Sequence, residues 1–179
     1  MKLLVLILGL SLSLAQEVLR QFPEASGANL SKEEFDLPQD FAGELNLVLV
    51  AFKQNQQSKV DTWLAYAEGS AITDNEVSVY ELPVLGSSYR LLRGFIDGGM
   101  RSGIPDPVAR ARTITLYGDK PGFMEALAIP DENDIHAFLV DGEGQVLWQA
   151  AGEHSEAKAA ELEDMITWAK LPKTYKGGL

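Results

Sequence analysis

Residues Leu45 to Phe52, LNLVLVAF, form a near-continuous apolar run rich in Val and Leu. That is the pattern of a strand covered on both faces, as at the centre of a parallel or mixed sheet. Working downstream, Lys53 to Gln57 is an amide-rich loop, and Ser58 with Asp61 three positions on has the spacing of a helix capping box. Val60, Leu64 and Ala67, with Trp63 beside them, make a helical apolar stripe that Gly69 ends. Val77 to Leu82, VSVYEL, alternates like a second strand. A strand, helix, strand order predicts a right-handed parallel crossover.

Further on, the pattern predicts an amphipathic helix over residues 85–101. Leu85, Tyr89, Leu92, Ile96 and Met100 fall on one side, and Arg90, Arg93, Asp97 and Arg101 on another. Gly98, Gly99, Gly103, Pro105 and Pro107 are expected to break it into a loop. Thr113 to Tyr117 reads as a short strand and Pro121 to Leu127 as a short helix. Ile135 to Val140 and Gln145 to Ala150 flank a glycine-bearing turn and predict a hairpin. Ser155 opens a last helix that stops before Pro172.

Upstream, Lys2, the apolar run Leu3 to Leu10, and the small residues Ser13 and Ala15 read as a secretory signal cleaved near Ala15. The alternative is a retained anchor, although the run is short for a membrane span. The expected organisation is a signal segment over 1–15, a lead-in over 16–34 with a linker-like stretch from Glu24 to Leu30, one domain over 35–170, and a flexible tail over 171–179. The protein is expected to be exported, periplasmic or secreted, and to meet a membrane only through an uncleaved signal.

Composition narrows the function classes. None of the 179 residues is cysteine, which removes thiol catalysis, iron–sulfur clusters and thiolate zinc sites together. A net charge of −11 argues against a nucleic-acid partner, which would need a basic footprint. His136 and His154 have no ligand partner at metal-site spacing, and the acidic cluster Asp131 to Asp134 does not fit the calcium-loop pattern. No metal or other cofactor is expected.

The order of elements resembles the thioredoxin-like fold in its exported, peroxiredoxin-related form, over about Phe35 to Lys170. Phe138 to Gly152, FLVDGEGQVLWQAAG, is the most specific stretch, and Leu37, Pro38, Asp40 and NLVLVAF are similar to the family's entry into its first core strand. The resemblance implies a three-layer α/β/α sandwich around a mixed sheet. Redox members carry their cysteines in the loop that here reads Lys53-Gln54-Asn55-Gln56-Gln57-Ser58, and Asp134-Ile135 stands where they carry a cis-proline. Thiol–disulfide exchange and thiol peroxidase activity are therefore excluded. Gly99 to Pro105, leading to Arg110 and Arg112, is also similar to the cysteine-poor branch that includes the mitochondrial assembly factor for the ATP synthase membrane subunit. That similarity implies a chaperone or assembly role.

Two segments are candidate binding sites. Arg90, Arg93, Arg101, Arg110 and Arg112 are five of the six arginines, opposed between residues 90 and 112 only by Asp97 and Asp106. Guanidinium groups suit carboxylate or phosphate, so the segment reads as a surface for a protein partner or a small anion. The alternative is a solvated helix face with Arg93–Asp97 and Asp97–Arg101 pairs. Lys53, Asn55 and Ser58 precede a helix N-terminus that favours anions, or belong to a vestigial active-site loop. The resulting expectation is a non-redox binding, chaperone or assembly module. The competing one is an enzyme with non-thiol chemistry at the Lys53 to Ser58 loop, using Asp61 or His136 as acid–base group.

Overall fold

A computed structural model describes residues 20–70, 72 and 77–172; the expected signal segment and most of the expected tail lie outside them. Eight strands form one mixed sheet: β1 (Arg20–Gln21), β2 (Ala25–Asn29), β3 (Glu34–Leu37), β4 (Leu45–Ala51), β5 (Val77–Gly86), β6 (Ile114–Gly118), β7 (His136–Asp141) and β8 (Gln145–Ala151). Their spatial order is β1-β8-β7-β4-β5-β6-β2-β3. Strands β4, β5 and β6 run parallel, and the remaining pairings are antiparallel. Helices α1 (Gln57–Gly69), α2 (Arg93–Gly103), α3 (Pro107–Arg112), α4 (Lys120–Ala126) and α5 (Glu156–Ala169) complete the fold.

Every residue of β4 is buried, as its unbroken apolar pattern requires of a central strand. Leu45, Leu47, Leu49 and Ala51 face α1 and α5, where Val60, Trp63, Leu64, Leu162 and Ile166 close one core. Val48 and Val50 face the other core, built with Leu82, Phe138, Phe22, Phe41 and Phe123 of α4. Burying each such side chain contributes about 1.5–3 kcal/mol before chain entropy is counted. The result is the expected α/β architecture, a mixed sheet with helices on both faces. In the β7–β8 turn, Gly144 has φ +80, and Asp141 Oδ1 accepts from the N–H groups of Glu143 and Gln145.

Four expectations need correction. Glu24 to Leu30 is not a linker, because it contains β2, which pairs with β6 on one side and β3 on the other. Gly27 permits that pairing: a Cβ there would lie 2.7 Å from the Thr115 carbonyl oxygen. The helix expected from residue 85 begins later. Strand β5 runs on through Pro83 because Val84, Leu85 and Gly86 pair with Leu116, Tyr117 and Gly118. A 3₁₀ turn (Ser87–Leu92) follows, and α2 then continues through Gly98 and Gly99 to Gly103 instead of breaking at them. Finally, Ser58 does not cap α1; a 3₁₀ turn (Gln54–Gln56) precedes that helix, and Gln56 is its N-cap residue.

Candidate functional site

At the C-terminal end of β4, the loop Lys53 to Ser58 is held by one side chain. Gln56 is buried, and its Oε1 accepts from the N–H groups of Phe52 at 2.8 Å and Lys53 at 3.1 Å. Its Nε2 donates to the Glu132 carbonyl at 2.9 Å, tying the loop to the segment before β7. Lys59 adds a second tie, donating to Asp134 Oδ1 at 2.8 Å. Burial alone would raise the Asp134 carboxyl, but Lys59 and the Ile135 N–H hold it below its usual range. Lys53, Asn55 and Ser58 stay exposed around that side chain.

The residues considered for acid–base work do not converge. His136 extends β7 on the face of Phe138 and Val140, beneath the tied loop, and is 4% exposed. Its Nδ1 has no partner among the described residues, and burial pushes its pKa down, against the opposing pull of Asp134 and Asp131. Asp61 lies on α1, the helix packed over the other face, and accepts from Gln57 Nε2 at 3.0 Å. A buried carboxylate on that second side escaped the sequence reading. Glu81 is 4% exposed, and burial raises its pKa, with Asp61 adding to the rise while Gln57, Arg112 and Thr113 counter it. The alternation of VSVYEL was the available signal, since it sets Glu81 on the same side as Val77 and Val79.

The arginine-rich segment is a connection between β5 and β6 made of the 3₁₀ turn, α2 and α3. Three of its arginines serve the fold. Arg110 Nε donates to the Ile104 carbonyl at 2.6 Å and its Nη2 to the Arg101 carbonyl at 3.2 Å, satisfying the C-terminal end of α2. Arg112 reaches Glu68 of α1 at 3.0 Å, and Arg93 pairs with Glu34 at 3.3 Å and Asp97 at 3.5 Å. Asp97 also accepts from the Tyr117 hydroxyl at 2.7 Å; burial and this carboxylate raise the Tyr117 pKa. The expected Asp97–Arg101 pair is absent among the described residues, where neither Arg90 nor Arg101 has an acidic partner.

The apolar side chains of this segment point the wrong way for a core. Tyr89, Leu91, Leu92, Phe95 and Val108 are five of the six exposed large hydrophobic residues among those described. Ile96 and Met100, expected on a buried stripe, are only half-buried. Beside the segment, a cleft of about 460 Å³ opens at the ends of β5 and β6, lined by Pro23, Glu24, Arg90, Tyr117, Lys120 and Phe123 among others. Lys120 is paired across to Glu132 at 2.6 Å, so among the described residues Arg90 is the lining cation without an acidic partner.

No family model matches the chain, and a search of curated proteins finds no match. Solved structures do match. A thiol:disulfide interchange protein from Bacteroides sp. superposes with a TM-score of 0.57 at 19% identity, covering 85% of this chain and 91% of that one. A member of the Sco family of cytochrome c oxidase assembly proteins gives 0.54 at 12% identity, covering 87% and 96%. The exposed lipoprotein thioredoxin of Streptococcus pneumoniae gives 0.54 at 11% identity, covering 80% and 98%. The fold is therefore thioredoxin-like, and at these identities the likeness extends to the fold alone.

Proposed function

We propose that the chain is an exported, non-redox thioredoxin-like binding module that engages a protein partner through the β5–β6 connection. One observation carries this reading: five exposed large hydrophobic residues and five arginines share residues 89–112, on a fold whose usual reactive loop is closed by Gln56. Apolar side chains rimmed by arginine are the composition of protein-binding surfaces. The similarity of Gly99 to Arg112 to the assembly-factor branch supports a chaperone or assembly role, and the Leu3 to Ala15 segment supports export. Thiol–disulfide exchange and thiol peroxidase chemistry are outside its reach, because the chain has no cysteine. A non-thiol enzyme is less well supported, since Asp61 and His136 belong to opposite sides of the sheet.

Cross-linking in the producing cells tests the reading. A photoreactive amino acid replacing Phe95 should give a discrete protein adduct, while the same group replacing Glu156, exposed on α5, should give none. Equal adducts from both positions, or none from Phe95, would refute it.

A further inference from the structure

Strands β2 and β6 separate towards the C-terminal end of β6, and the cleft beside Arg90 lies in the fork between them. Their pairing stops at Gly27 opposite Leu116. Beyond it, among the described residues, Ala25 and Ser26 pair only with Leu37 and Asp36 of β3, and Tyr117 and Gly118 only with Leu85 and Gly86 of β5. Both prongs, Ala25 with Ser26 and Tyr117 with Gly118, line the cleft of about 460 Å³, and the core residues Val84, Leu116 and Phe123 form its floor. That volume is within the range of small-ligand sites. Gly118 follows Leu116 by two residues and therefore faces the same side of the sheet. A Cβ added at Gly118 would meet nothing within 4 Å. Open space over a strand glycine lets another backbone approach closely.

Backbone, floor and charge together define the occupant. Strand edges that no longer pair with each other present main-chain N–H and C=O groups, which the backbone of a peptide matches. The floor takes an apolar side chain. The charges lining the cleft are of both signs. Asp119 folds back on its own helix, accepting from the Gly122 N–H at 3.1 Å, and Lys120 is paired with Glu132. Glu24 and Arg90 remain, both exposed and neither with an oppositely charged partner among the described residues. A simple anion would suit Arg90 but face repulsion from Glu24, whereas a zwitterion satisfies both. Strand order β5-β6-β2 sets the turn carrying Arg90 two strand spacings, about 10 Å, from Glu24 at the start of β2. Three extended residues span about that distance. We infer that the fork binds a short peptide of about three residues with free ends and an apolar side chain, its carboxylate at Arg90 and its ammonium at Glu24. This site is separate from the partner surface, since Leu91 and Phe95 do not line it.

The test is an NMR titration of the isotope-labelled full chain with four probes: the tripeptide alanyl-leucyl-alanine with free ends, its N-acetyl form, its C-terminal amide, and free leucine. The free tripeptide should shift the amides of Gly86 and Gly118, and each blocked form should bind at least about tenfold more weakly. Glu24→Gln should weaken the free tripeptide and remove the difference between it and the acetylated form, and Arg90→Gln should do the same for the amidated form. Gly118→Leu should abolish binding while melting at or above the wild-type temperature, because its side chain enters open space and suits a strand better than glycine does. No binding of the free tripeptide, equal affinity for it and its blocked forms, free leucine binding as tightly, or shifts confined to residues away from the fork would each overturn the assignment. Cross-linking through position 95 is unaffected by any of these outcomes, so the partner surface is judged separately.

Discussion

The Gln56 side chain donates to the Glu132 carbonyl at 2.9 Å while accepting from two backbone N–H groups at the end of β4. One amide thus ties the end of β4 to the segment before β7. Gln56→Ala leaves buried donors unmatched, each costing about 1–3 kcal/mol. Urea unfolding should show a loss of about 2–4 kcal/mol. A loss below about 0.5 kcal/mol would show that the tie is not structural.

Glu81 predicts a pH signature. Its pKa is raised in the folded chain, first by burial, so the folded state holds a proton at a pH where the unfolded chain has released it. The stability this group contributes is complete below its ordinary value of 4.5 and is lost as pH rises through the folded value. Glu81→Gln should therefore melt higher than wild type at pH 7, by about 2–4 °C per kcal/mol recovered, with the difference vanishing towards pH 4. Thermal scans across that range check it, and a destabilised variant at pH 7 would assign the carboxylate a necessary pairing with Arg112.

His136 shifts the other way. Burial holds its pKa below 6.5, so as pH falls below 6.5 the unfolded chain takes up the proton first. The stability it contributes is present above 6.5 and is lost as pH falls through the folded value. An NMR titration should place the His136 midpoint below 6.5. A midpoint at or above that value would contradict the buried, neutral imidazole.

Arg110→Ala should loosen α2 selectively. It removes two charge-assisted hydrogen bonds to the carbonyls of Ile104 and Arg101, each worth about 1.5–3 kcal/mol. Hydrogen exchange should accelerate at amides 98–104 and remain unchanged in β4 and β7. Uniform acceleration over the whole chain would mean that the connection is not a separate unit of stability.

How far the residues spell out this molecule varies along the chain. LNLVLVAF and FLVDGEGQVLW are legible because apolar runs and a glycine turn are local signals, and their strands pair in the expected order. ASGAN is not, because β2 has no apolar run and is strand only through pairing with β3 and with β6, the latter more than eighty residues away. Helical periodicity carries a helix back to residue 85, whereas pairing of Val84 to Gly86 with β6 holds that stretch extended. At the candidate site, the arginines were visible as composition, but Leu91 and Phe95 were not. A wheel centred on Leu92, Ile96 and Met100 hides them, and only the position of α2 on the body shows which face is left outward.

The central claim is that Leu91 and Phe95 form the contact surface. The direct measurement is the Kd of the partner cross-linked through position 95, compared between wild type and the Leu91→Ser/Phe95→Ser variant at matched thermal stability. The account predicts weakening of more than about thirtyfold with an unchanged melting temperature, because both side chains are exposed and support no core. An unchanged Kd would contradict it.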